Sequence, residues 1–173
     1  VYEVAIGLTL GELFTSERYC GGLTGPLRAV AASGPSGGLI PAKLPVPANF
    51  DDKKRADAVA KIRERSAGDA DFMEWFFRTY LPPGATELDT LRIPLDLNFF
   101  RHLNGALKLP VEAMLGAAIT VYAGDVDILD QAVNYTQFYR NESCGKCVPC
   151  RLGSQKLVQI GEGLLSRRNA GQP

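Results

Sequence analysis

Three of the chain's four cysteines stand three residues apart, at Cys144, Cys147 and Cys150, within Asn141-Glu142-Ser143-Cys144-Gly145-Lys146-Cys147-Val148-Pro149-Cys150-Arg151. Cys-x-x-Cys-x-x-Cys is a ligand spacing. A loop with this period can aim three thiolates at one compact inorganic centre, as the cysteine runs of [4Fe–4S] proteins do. Gly145 allows a close backbone turn, and Pro149 stiffens the approach to the third thiol. Two other chemistries use related spacings. Structural zinc pairs Cys-x-x-Cys with a second, distant pair, and outside this run the chain offers only Cys20 and His102. A redox dithiol uses two cysteines and leaves the third unexplained.

The rest of the composition narrows the class. With 46% hydrophobic and 22% charged residues, the 173-residue chain can build a real core, as one domain or two small ones. Nineteen basic residues balance nineteen acidic ones, so no net field recruits nucleic acid or an anionic membrane. Apolar runs such as Ala117–Tyr122 are too short to span a bilayer. Thiols at ligand spacing fit a reducing compartment, most simply the cytoplasm. No initiator Met or secretory signal precedes Val1, and the chain is expected to be a fragment of a longer polypeptide.

Along the chain, alternation over Val1–Ile6 predicts a strand. Thr9 and Glu12 form a capping box for a helix from Leu10 to Ser16. Leu27–Ala32 reads as a strand, and Ser33–Gly38 as a tight turn without a phosphate-loop pattern. After Pro41, Pro45 and Pro47, helices are expected at about 51–65 and 69–80. The second carries Phe72, Trp75, Phe76 and Tyr80 as a core or contact stripe. Leu91–Phe100 reads as extended or loop structure, with Pro94 suggesting an edge position. Ala117–Ala123 is expected to be a buried strand. A helix over 128–139, with Asp127 in the preceding turn, leads into the cysteine loop. The closing helix, 152–166, should face Leu157, Ile160 and Leu164 inward. Cys20 is expected to be a small buried residue and His102 a surface or packing residue. Lys146 and Arg151 would place positive charge near a cluster and raise its potential.

The segment Glu142–Arg151, with Gly153 and the preceding Phe138-Tyr139-Arg140, resembles the cluster signature of the NADH-binding flavoprotein subunit of respiratory complex I. It is equally similar to the matching subunits of NAD-dependent formate dehydrogenases and NAD-reducing hydrogenases. Val1–Val4 with Gly7, Ala29–Gly38 and Met114–Tyr122 resemble that protein's soluble-ligand-binding β-grasp domain. The resemblance implies an α+β chain. Residues 1–125 would form a ubiquitin-like β-grasp domain with a helical insertion at about 45–92, and 126–173 the start of an α-helical iron–sulfur domain. It implies that Cys144, Cys147 and Cys150 bind a [4Fe–4S] cluster, with the family's fourth cysteine falling beyond Pro173. FMN and NAD(H) would be held upstream, outside this stretch, so no catalytic residue is expected here. The cluster would relay electrons between FMN and downstream clusters. The implied partners are a [2Fe–2S] thioredoxin-like subunit and an iron–sulfur catalytic subunit. The helical insertion departs from the complex I pattern and points toward a formate-dehydrogenase-type relative. The competing expectation is a non-catalytic adaptor whose thiols hold a structural metal.

Overall fold

The computed structural model describes residues 2–108 and 113–171. The chain divides into two units, Val1–Gly124 and Asp125–Pro173. It is mixed, about half helix with small antiparallel sheets, compatible with an α+β class.

In the first unit, α1 (Leu10–Thr15) starts at the Thr9–Glu12 capping box. The Thr9 backbone N–H donates to Glu12 at 2.8 Å, and this bond, more than any other contact, lowers the Glu12 carboxyl below its usual range. β1 (Leu27–Pro35) is the middle strand of a sheet ordered β2-β1-β5, with β2 at Ile40–Pro41 and β5 at Thr120–Ala123. Position decides its composition: Ala29, Val30, Ala31 and Ala32 are all buried, so both faces carry small apolar side chains. The turn after β1 is closed by its own atoms. Ser36 Oγ donates to the Ser33 carbonyl at 2.8 Å, and a Cβ on Gly37 would lie 2.7 Å from Ser33 Cβ. A second sheet pairs β3 (Lys43–Pro45) with β4 (Glu87–Asp89).

The intervening helices are α2 (Asp52–Arg63), capped by Asp51, and α3 (Ala67–Tyr80), capped by Ser66. A 3-10 turn, Thr90–Arg92, then leads to α4 (Leu97–Leu107), capped by Asp96. Together these helices supply much of the unit's one core. Phe50, Ile62, Met73, Phe76, Phe77, Phe99, Phe100 and Leu103 pack in the same cluster as Leu10, Phe14 and Val30. The segment expected as an insertion therefore shares the sheet's core. Asn104 secures the chain beyond α4 by donating to the Ala113 carbonyl (2.7 Å) and accepting from its N–H (3.1 Å).

Several expectations fail here for physical reasons. Residues 2–6 form no strand (Val1 lies outside the described residues), and Ile6 is 83% exposed. Both edges of β1 are taken by β2 and β5, and the backbone at Gly7, Leu8 and Leu10 bonds instead to Leu95 and Ile93. The extended reading of Leu91–Phe100 gives way to the 3-10 turn and α4. Asp96 accepts from Phe99 N–H at 2.8 Å, and Phe99, Phe100, Leu103 and Leu107 form the buried face. Cap and period are both written in the sequence, and Pro94 lies two residues before the cap, where it does not interrupt the helix. β5 begins only at Thr120 and is half-buried, because before it the chain meets β1 through single bonds such as Gly34 N–H to the Ala118 carbonyl. The aromatic stripe of α3 divides: Phe76 is buried, whereas Phe72 and Trp75 are exposed.

The second unit is a helical hairpin, α5 (Ile128–Glu142) and α6 (Val148–Asn169). Its seam runs through Val133 and Val158, the two buried side chains. Gly161 sets the approach, since a Cβ there would stand 2.7 Å from Val133 Cγ2. The expected inward stripe of Leu157, Ile160 and Leu164 is exposed instead. The lack of a side chain at 161 lets the helices approach more closely than a leucine stripe would, and the buried position of α6 is Val158.

Candidate metal centre

The cysteine run forms the connection between α5 and α6. α5 ends at Glu142, and Ser143 is its C-cap in extended conformation. Cys144 and Gly145 then turn the chain. Gly145 has φ +69°, a left-handed conformation that disfavours any side chain, and no atom crowds its Cβ position, so the backbone alone demands glycine. Cys147 is the N-cap of α6, and its side chain makes no capping hydrogen bond. Pro149 falls within the first turn, where a missing N–H costs nothing. Cys150 is the third helical residue. Cys147 and Cys150 are therefore one helical turn apart on the same side of the helix start, and the N–H groups there favour negative charge.

Two clasps hold this connection. Gly145 N–H donates to Ser143 Oγ at 3.3 Å, and Arg151 Nη1 donates to the Gly145 carbonyl at 3.1 Å. Ser143 Oγ also lies 3.3 Å from Cys150 Sγ. Arg140, Ser143, Gly145, Arg151, Leu152, Ser154 and Gln155 line a half-open hollow beside the loop.

Cys144, Cys147 and Cys150 are all free and exposed. Among the described residues, no three His, Cys, Asp or Glu side chains converge closely enough to hold a metal ion. The three thiols are thus gathered on one connection but do not form a closed coordination sphere. Their donor chemistry fits a [4Fe–4S] cluster: three soft sulfur donors, on a loop anchored by helices at both ends, with one further ligand to come from elsewhere.

Cys20 belongs to the first unit and is exposed in the turn after α1, against the expectation of burial. The Gly21-Gly22 turn that follows, at φ +74° and +115°, leaves no side chain to cover it. His102 is half-buried on α4, its Nε2 3.1 Å from Asp69 Oδ2 on α3, in a hollow lined by Phe72, Met73 and Phe99. It is a packing residue. Ser143 and the Arg151 clasp are the site features that spacing alone missed. A serine directly before the cysteine run and an arginine directly after it are the traces they leave in the sequence.

Residues 130–172 match the NADH-ubiquinone oxidoreductase-F iron-sulfur binding region. An F subunit of the NADH-quinone oxidoreductase of Rhizobium meliloti is 30% identical over 86 residues, 50% of this chain and 18% of that protein. The F subunit of the corresponding enzyme of Streptomyces coelicolor is 41% identical over 49 residues, 28% of this chain and 11% of the relative. The 51 kDa subunit of the mitochondrial NADH-ubiquinone oxidoreductase of Neurospora crassa is 40% identical over 55 residues, 32% and 11% respectively. The chain thus spans less than a fifth of the length of these curated relatives. The resemblance to NADH-binding flavoprotein subunits is borne out, and the family match spans the three cysteines of the connection.

Proposed function

From the premise that residues 130–172 match the NADH-ubiquinone oxidoreductase-F iron-sulfur binding region, we propose that this chain is the electron-relay part of an NADH-oxidising flavoprotein subunit. Cys144, Cys147 and Cys150 supply three of the cluster's four ligands, and the fourth comes from outside the stretch 1–173. The observation that carries this reading is the coincidence of the family match with three accessible thiols on one helix–helix connection. When bound, a [4Fe–4S] cluster accepts and releases one electron at a time. The chain's own residues hold and surround it. The αL turn at Gly145 keeps the backbone clear, the N-terminal end of α6, where Cys147 and Cys150 stand, favours negative charge, and Arg151 and Lys146 bring positive charge.

In the parent protein, FMN and NAD(H) lie in a domain outside this stretch, and the relay connects FMN to the clusters of neighbouring subunits. A [2Fe–2S] thioredoxin-like subunit and an iron–sulfur catalytic subunit are the partners in this reading. A complex I-like assembly is the parent that the relatives support. A formate-dehydrogenase-type parent rests on the helical segment at 45–92 alone. The β-grasp reading of the first unit rests on segments 29–38 and 114–122, which lie along β1 and lead into its partner β5. Four unpaired cysteines suit a reducing compartment such as the cytoplasm. Among the described residues, no helix is long and apolar enough to cross a membrane.

The test is iron and acid-labile sulfide analysis of the full-length protein, with electron paramagnetic resonance after reduction. Four irons and four sulfides per polypeptide at this loop, lost on Cys147→Ser, are expected. Bound zinc without sulfide would overturn the reading in favour of the structural-metal adaptor.

A further inference from the structure

We infer that Ser143 is a positioning residue for the cluster: its hydroxyl donates a hydrogen bond to Cys150 Sγ and raises the cluster's reduction potential. This inference rests on the proposed ligand role of Cys150. With Cys150 as an iron-bound thiolate, one assignment of the proton is consistent. Ser143 Oγ lies 3.3 Å from Cys150 Sγ and 3.3 Å from the Gly145 amide nitrogen, which can only donate. The hydroxyl therefore accepts from Gly145 and keeps its single proton for the sulfur. An iron-bound thiolate offers lone pairs and no proton, so the direction Oγ–H to Sγ is the one that survives cluster binding.

The placement is built into the local fold. Ser143 is the C-cap of α5, Cys150 is on the first turn of α6, and Gly145 between them is held at its carbonyl by Arg151 Nη1. Ser143 and Arg151 thus grip Gly145 from two sides, one at the N–H and one at the carbonyl. This holds the hydroxyl at the sulfur without a further side chain. A donor on a ligand sulfur stabilises the electron-rich, reduced cluster more than the oxidised one, so the potential rises.

The experiment compares wild type, Ser143→Ala and Ser143→Thr in the full-length protein, by iron and sulfide content and by redox titration followed with electron paramagnetic resonance. Ser143→Ala should hold a cluster whose reduced-to-oxidised ratio at fixed potential falls up to about tenfold, a shift of about 59 mV for one electron. Ser143→Thr keeps the hydroxyl and should restore the wild-type potential. Loss of the cluster in Ser143→Ala with retention in Ser143→Thr also supports the inference, because the hydroxyl is what Thr shares with the wild-type serine and Ala lacks. A wild-type potential in Ser143→Ala overturns it, as does identical behaviour of the two variants. A wild-type protein without iron and sulfide refutes the cluster itself, a separate and earlier failure.

Discussion

The Arg168 guanidinium, near the end of α6, donates from both terminal nitrogens to the carboxylate of Asp127, the residue that caps the start of α5. One carboxylate thereby caps a helix, through the N–H groups of Leu129 and Asp130, and ties the hairpin together at the end remote from the cysteine loop. The cysteine connection joins the other end covalently, so the hairpin is held at both.

This pair makes stability pH-dependent with a definite sign. The hydrogen bond from Arg168, the largest influence, lowers the Asp127 carboxyl from 3.8 to about 2. A depressed carboxylate contributes fully above its unfolded value and loses its contribution as pH falls from there through about 2. In thermal melts followed by circular dichroism, wild type should lose more stability than Asp127→Asn between those values. Asn still caps the helix, so the difference reports the carboxylate charge, which acts chiefly through Arg168 and also through the cap N–H groups of Asp130 and Leu129. The pair is solvent-exposed, so the difference should be small and shrink in high salt.

Two nearby glycines on α6 should respond oppositely to alanine. Gly163 has nothing within 4 Å of an added Cβ, and Gly163→Ala should stabilise by about 1 kcal/mol through helix propensity. Gly161→Ala drives its methyl into Val133 Cγ2, and a β-branched side chain in a helix has little rotamer freedom to yield. Overpacking should outweigh propensity and leave a net loss of about 1 kcal/mol. Urea denaturation of the two variants checks this; a gain at both positions would place the hairpin seam elsewhere.

Adjacent aromatic residues on α3 should separate just as clearly. Phe76 is 1% exposed and stacks edge-on against Phe99 at 4.7 Å between centroids, whereas Trp75 is 43% exposed. In thermal or urea unfolding, Phe76→Ala should cost about 3–5 kcal/mol, and Trp75→Ala only about 1 kcal/mol or less. Equal losses would show that the whole stripe is core.

The ligand proposal distinguishes the cysteines. In the full-length protein, Cys147→Ser should lose the iron, and Cys20→Ser, a change in the first unit, should leave iron and sulfide at wild-type levels. Iron lost on Cys20→Ser would make Cys20 the fourth ligand and remove the need for one outside this stretch.

Much of this chain could be anticipated from its order of residues, because the deciding interactions are local. A cap acts over three or four residues, so Thr9 with Glu12, Asp51 and Asp127 mark their helix starts without knowledge of anything distant. Three thiols at a fixed period likewise mark out the proposed ligand set, since the connection that carries them is only a few residues long. Long-range choices could not be read this way. Alternation at residues 2–6 signals a strand only if the chain meets a partner strand there, and the backbone that follows, at Gly7, Leu8 and Leu10, bonds to Leu95 and Ile93 instead of joining a sheet. Apolar residues on α6 suit two adjacent stripes, and the close approach at Gly161 selects the one through Val158. The same holds within the site. Spacing alone placed Cys144, Cys147 and Cys150 on one loop, whereas the meeting of Ser143 Oγ with Cys150 Sγ depends on how α5 ends and α6 begins. Only the folded backbone brings those two atoms together.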